Sequence, residues 1–237
     1  MSFLMWFRFQ IVQMQKICNL TQVGILLVIG LLSISASAQS NANFKINHYS
    51  MSIGQDGVKR ETSYSENLYR NGSEVIYKRD LPTTSHKKEI HNHRHFNSAI
   101  SPQLVTLTKS GEVNFAFLDI ENKTRIEVSK LDFNSVGFSG SWPGSYSLID
   151  PAIFKSMVKK GTGPSNYSIW YEQVGDKGTT RILWDDKNKI ALEVEVISKD
   201  GLMKKRTTSK LVNMNEIDSL FSRVKSFEMK VIADYRD

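Results

Sequence analysis

The chain has a single cysteine in 237 residues, Cys18, and it lies ahead of the apolar run at residues 23–35. A lipoprotein cysteine would follow such a run as the first residue of the processed chain, so Cys18 marks no lipidation site. Arg8 and Lys16 precede the run and Ala36-Ser37-Ala38 follows it. These are the parts of a secretory signal peptide over residues 1–38, cleaved after Ala38. The competing reading is a membrane anchor, but the run is shorter than the roughly 20 residues a span needs. Cleavage leaves no cysteine at all, which excludes disulfides, thiolate zinc sites, c-type haem attachment and cysteine nucleophiles. The exported domain, residues 39–237, must then be held by its apolar core alone, and about 200 residues suffice for one.

Other absences narrow the function. No second long apolar run follows Ala38, so no transmembrane anchor is expected after cleavage. Gly137-Phe138-Ser139-Gly140-Ser141 lacks the Gly-x-Ser-x-Gly spacing of a nucleophile elbow, and no glycine loop is arranged to cradle phosphate. The net charge is +7, and loss of Arg8 and Lys16 lowers it to +5. That charge is compatible with anionic membrane surfaces or acidic partners. It comes without the aromatic-interleaved basic motif that would argue for nucleic acid. A signal with no multi-cysteine module behind it points to a bacterial periplasm.

What is present is alternation with period two, broken by hairpin turns. Residues 44–53 read as a first strand, residues 54–57 as its turn, and Asn71-Gly72 as a type I′ turn between two more. Ser110-Gly111 marks another hairpin, with Val113, Phe115 and Phe117 on one face. Residues 125–133 continue the pattern. The loop at 136–147 is rich in glycine and serine yet carries Phe138, Trp142 and Tyr146, and loops with aromatics cover something apolar. Asp150 as N-cap, Pro151 at the first helical position and Gly161 as terminator predict a short helix near 151–160. Three turns then separate four strands. In the third, Ile190, Leu192, Val194 and Val196 face one way and Ala191, Glu193 and Glu195 the other, as in a half-wet antiparallel sheet. Ile217, Leu220, Phe221 and Val224 form the stripe of a closing helix near 216–229. Asp185 and Asp186 are turn formers. The predicted fold is mainly β: a single curved antiparallel sheet, or an incompletely closed barrel, with two short helices on its concave side.

Four of the five histidines, His86, His91, His93 and His95, fall in HKKEIHNHRHF. In an extended segment Glu89, His91, His93 and His95 share a face, a ligand set suited to zinc or copper. Same-face neighbours lie roughly 6.5 to 7 Å apart, which is wide for one ion, and Lys87, Lys88 and Arg94 disfavour a cation. The alternatives are a solvated basic loop and a patch that gains charge in mild acid. No cofactor is expected beyond that metal.

The run WYEQVGDKGTTRILWDDKNKIALEVEVISKDG, followed by a terminal helix, resembles the carboxy-terminal half of LolA- and LolB-type periplasmic lipoprotein carriers and RseB-like sensor domains. The likeness covers roughly residues 44–215 and rests on strand rhythm and the tryptophan-aspartate turn. It implies a curved, open antiparallel sheet that cups an apolar cavity beneath helices, and it assigns no residue role. Such a face must be filled, by its own helices or by a ligand, since each buried CH₂ contributes about 0.8 kcal/mol. The candidate ligand-binding side chains are Phe115, Phe117, Phe138, Trp142, Trp170 and Trp184. The leading reading is an exported, non-enzymatic periplasmic protein that holds or senses an apolar or lipid-like ligand. Two alternatives stay open: a metal-binding accessory factor using the histidines, and a domain that docks an envelope protein.

Overall fold

Twelve strands form one sheet in a computed structural model that describes residues 42–81, 97–213 and 217–235. The strands are β1 (Asn43–Ile53), β2 (Lys59–Asn71), β3 (Glu74–Arg79), β4 (Gln103–Leu107), β5 (Val113–Asp119), β6 (Thr124–Val128), β7 (Val158–Thr162), β8 (Ser168–Gly175), β9 (Gly178–Asp185), β10 (Ile190–Ser198), β11 (Met203–Val212) and β12 (Glu228–Val231). Their order is β12-β6-β5-β4-β3-β2-β1-β11-β10-β9-β8-β7. Every neighbouring pair is antiparallel except β12 with β6. The outermost strands β12 and β7 do not pair, so the sheet stays open, as predicted. The helices are α1 (Trp142–Ser147) and α2 (Ile217–Val224), with 3-10 turns that include Lys130–Asp132, Asn134–Val136 and Pro151–Ser156.

The sheet coils around α1. That helix touches both β4 and β10, which are five strand spacings apart, about 24 Å on a flat sheet. Six helical residues span only about 9 Å, so the sheet has to curl to bring both strands to them. On the inner face Phe44, Ile46, Leu68, Val75, Val105, Phe115, Phe117, Ile126 and Val128 form the main core with Trp142 and Tyr146. The opposite parity of β3 to β5 is apolar too. Ile76, Leu104 and Leu118 pack there against Phe221, Val224 and Phe227. Strands that are apolar on both faces need cover on both, and so α2 lies on the outer face rather than beside α1 on the concave one.

Several local expectations are corrected. Asp150 does cap a turn, accepting from the Ala152 N–H at 2.9 Å. The segment is nevertheless a six-residue 3-10 turn, and the residues expected to continue a helix to 160 pair with β8 as the edge strand β7. The terminal helix ends at Val224, after which β12 adds to β6. The aromatic loop contains α1, capped by Ser141, whose side chain accepts from the Gly144 N–H at 3.1 Å. In β10 a bulge at Leu192 shifts the register, so Ala191, expected on the wet side, is buried with Ile182 and Trp184. At the β2–β3 hairpin Asn71 pairs with Glu74. The central residues are therefore Gly72-Ser73, with positive φ at Gly72 alone. That is the pattern of a type II′ turn, not the expected I′.

One glycine in the sheet is irreplaceable. A Cβ on Gly178, where φ is +140°, would sit 2.0 Å from the Ile197 carbonyl oxygen and 2.8 Å from Ser198 Cα. Both neighbours are backbone and cannot swing aside. Gly178→Ala is expected to lower stability by roughly 2 to 3 kcal/mol in urea denaturation. Gly175→Ala, across the same turn with nothing within 4 Å of its Cβ, should cost far less; equal costs would contradict the clash.

Candidate functional site: an aromatic cover and a buried arginine

The covering segment is built from aromatics at short spacing. Phe138 stacks on Phe115 with ring centres 4.5 Å apart and planes at 16°, and Phe133 meets Phe138 edge-on at 4.8 Å. Phe117 meets Phe115 edge-on at 5.0 Å from below. One turn on, Trp142 and Tyr146 stand at i and i+4 of α1, 5.5 Å apart, and both are buried on the sheet. The helix ends at Leu148, whose φ of +67° lies in the left-handed region. A leucine adopts that conformation only under strain, here held by packing against the core.

Beneath α1 lies Arg70, on the core-facing parity of β2 two residues beyond Leu68. It is fully buried, and no carboxylate bonds to it among the described residues. Its Nη2 donates to the Asn188 carbonyl oxygen at 2.9 Å, and its Nη1 to those of Tyr146 at 3.3 Å and Lys189 at 3.5 Å. The guanidinium also lies over the rings of Tyr146 at 4.3 Å and Phe44 at 4.6 Å. Its Nε is buried with no acceptor. Burial pushes the Arg70 pKa below its ordinary value, an effect that Tyr146, Tyr77 and Asp185 partly offset; it stays charged at neutral pH. One cation therefore ties three things together: strand β2, the covering helix and the β9–β10 turn. That turn is shaped by Asp185, whose carboxylate accepts from the Lys187 and Asn188 N–H groups and from Asn188 Nδ2. Tyr77 supplies a second fastening, its hydroxyl donating to the Ser145 carbonyl.

Beyond Ile46 the same inner face turns polar. His48 Nε2 lies 2.7 Å from Glu66 Oε1 and its Nδ1 3.1 Å from Thr207 Oγ1, while its ring stacks on Tyr64, which in turn sits under the Arg79 guanidinium. Hydroxyl, imidazole and carboxylate in that order suggest a nucleophilic triad. Thr207, however, lies mid-strand between β1 and β10, where its backbone belongs to a ladder and offers no pair of free N–H groups for an oxyanion. The cluster is a cross-strand network.

Of the predicted ligand-binding residues, the structure gathers Phe115, Phe117, Phe138 and Trp142 into one cluster with the cover. Trp184 stands in a neighbouring cluster with Phe154 and Tyr171. Trp170 pairs with Leu183, on the other face from Trp184. His86, His91, His93 and His95 lie outside the described residues; among the described ones, no group of three or more His, Cys, Asp or Glu could hold a metal ion. Arg70 and Tyr77 were not anticipated. The only trace of Arg70 in the sequence is a charge at a position where the alternation of β2 calls for a core residue.

Among the described residues no helix is long and apolar enough to cross a membrane. No family model matches the chain, and no curated protein matches it. Solved structures do. The chain is similar to the Pseudomonas aeruginosa MucA/MucB complex structure, at 9% identity over 77% of this chain and 56% of that one, with a TM-score of 0.36. It is similar to PNGF-II at 12% identity over 82% of this chain, with a TM-score of 0.36, and spans only 32% of that chain. It is also similar to a LolA superfamily protein from Nitrosomonas europaea, at 10% identity over 76% of this chain and 90% of that one, with a TM-score of 0.30. A LolA superfamily protein, of the family the sequence resembles, is thus among the structures to which the chain is similar.

Proposed function

We propose that this chain is an exported, non-enzymatic binding protein that takes up an apolar or lipid-like ligand on the inner face of its sheet, in the space now filled by α1 and the aromatic turns before it. The observation that carries this is Arg70. A core built only for stability would place an aliphatic side chain there, since a buried cation without a carboxylate forfeits more hydration than its bonds return. Arg70 instead holds the cover by a single long bond to the Tyr146 carbonyl and the β9–β10 turn by one short and one long bond, all to main-chain oxygens, and its Nε stays unused. Such bonds are exchanged for water or a ligand oxygen with little loss.

The cover has the properties of a removable part. Six helical residues are far too few to be stable alone, and the strain at Leu148 is relieved when the segment lifts. The face underneath cannot remain bare. An acyl chain offers the same apolar contact as the rings it displaces, at about 0.8 kcal/mol for each CH₂ buried.

The test is titration of the full chain with cis-parinaric acid in a Trp6→Phe/Trp170→Phe/Trp184→Phe background, so that Trp142 is the sole indole. Saturable uptake at one site per chain, competed by lysophosphatidylcholine and accompanied by a red shift of Trp142, is the expected outcome. Absence of saturable uptake would refute the proposal, as would uptake with Trp142 emission unchanged.

A further inference from the structure

The hairpin tips at the two ends of the sheet are unlike. At one end the hairpins β1–β2, β11–β10 and β9–β8 lie side by side, and their tips form a single row. Ile53 pairs with Lys59, the Ile53 N–H donates to the Leu202 carbonyl, Ser52 pairs with Met203, Ser198 with Gly178, and Gly178 with Gly175. Each tip carries a large apolar side chain in water: Val58 is 49% exposed, Leu202 44%, Met203 37% and Val174 72%. Hairpin turns favour Gly, Asn, Asp and Ser for their backbone needs, and nothing in the turn geometry asks for these residues. At the opposite end the hairpin tips at 72–73, 108–112 and 185–189 hold no exposed large apolar residue; the exposed Leu131, Tyr167 and Leu211 of that end lie outside those turns and away from one another's hairpins.

The row is also basic. Residues 53–60, 174–178 and 198–205 contain six basic side chains against three acidic, a net of +3. Three of the basic groups are already paired: Arg60 with Asp56, Lys59 with Glu61 and Lys204 with Glu195. Lys177, Lys199 and Lys205 are exposed and make no ion pair with a described residue. Asp200 is spent on its own turn, accepting from the Leu202 N–H and the Ser198 hydroxyl.

We propose that this row of tips is a docking surface for a lipid bilayer with anionic headgroups, Val58, Val174 and Leu202–Met203 entering the interface while Lys177, Lys199 and Lys205 meet the headgroups. Aliphatic points about two strand spacings apart, roughly 10 Å, suit a fluid surface that closes around each one. A protein partner would call for a contiguous patch with aromatic or arginine anchors at its centre. Lysines beside shallowly inserted apolar side chains are the usual chemistry of anionic membrane surfaces. The docking surface is independent of whether the inner face holds a ligand.

The experiment places a nitrobenzoxadiazole label at Leu202→Cys, Val174→Cys or, as the opposite-end control, Ser110→Cys, each in full-length chain with Cys18→Ser. Reading the label's surroundings reports which end meets the lipid, whatever else brings the chain to the vesicle. With vesicles of phosphatidylcholine and phosphatidylglycerol, labels at 202 and 174 are expected to shift blue and to be quenched by nitroxide-bearing lipid, and the label at 110 to do neither. Lys199→Glu/Lys205→Glu should weaken that response about tenfold or more, and phosphatidylcholine alone should give little. No shift at the tips, the same shift at both ends, a shift without quenching, or an equal response to uncharged vesicles would each overturn the proposal.

Discussion

Replacing Arg70 with methionine is expected to leave the sheet as stable as before while loosening the cover about a hundredfold. Two effects oppose each other. Methionine removes a desolvated cation that has no carboxylate partner and an unused Nε, and exchange of a buried charge for an apolar side chain of similar length is often neutral or stabilising. Against that, α1 loses a charged hydrogen bond, worth about 1.5 to 3 kcal/mol, and a cation–π contact through Tyr146, worth about 1 kcal/mol. These losses fall on the segment that opens locally and not on the sheet, so global and local stability part company. Urea midpoints should stay close to wild type, while amide exchange within Trp142–Ser147 accelerates by about two orders of magnitude, roughly 3 kcal/mol of local opening. An apolar ligand that competes with the cover should bind correspondingly tighter, because less of its affinity is spent on opening. Arg70→Lys does not rescue the wild-type behaviour, since an ammonium lacks the planar fork that reaches α1 and the β9–β10 turn at once.

Phe115→Ala is expected to act on both. Its ring is 1% exposed and touches Phe117, Phe133 and Phe138, joining the sheet to the aromatic turns. Removing it leaves a cavity at the centre of the main core, with a loss of about 3 to 5 kcal/mol in urea denaturation. With Phe115 gone, Phe138 loses its stacking partner and the cover its anchor on β5, and ligand uptake should fall with stability, because the removed ring floors the proposed site. Phe154→Ala, in the separate cluster with Tyr171 and Trp184, should cost stability and leave uptake intact. If the two variants lose uptake alike, Phe115 acts only through the fold.

The strands were legible because alternation is a local property. Phe44 and Ile46, Phe115 and Phe117, and Val194 and Val196 announce their faces by parity alone. The helices were less so. Asp150 and Pro151 announce the start of a turn whichever helix follows, but whether residues 158–162 go on winding or join an edge depends on β8, which the local sequence does not contain. Pro143 and Gly144 made a loop of α1 on paper; the Ser141 cap and the Trp142–Tyr146 spacing outweigh them once a sheet is present to pack against. Arg70 shows where reading by residue type fails. Its charge argued for the surface and its parity for the core. The carbonyls that settle the matter come from residues 76 to 119 positions away, beyond the reach of any spacing rule. The bulge at Leu192 is the same kind of case, because a one-residue insertion reverses Ala191 without leaving a mark in the composition.

The central claim is that an apolar ligand and the aromatic cover occupy the same face in turn. Isotope-filtered NMR of the full chain with a protonated acyl ligand tests it most directly. Contacts from the acyl chain to Val105, Phe115 and Val128, with the loss of contacts from Trp142 and Tyr146 to the sheet, are what the structure predicts. Acyl contacts confined to other parts of the molecule, or a cover that keeps its place on β4 and β10 while ligand is bound, would contradict it.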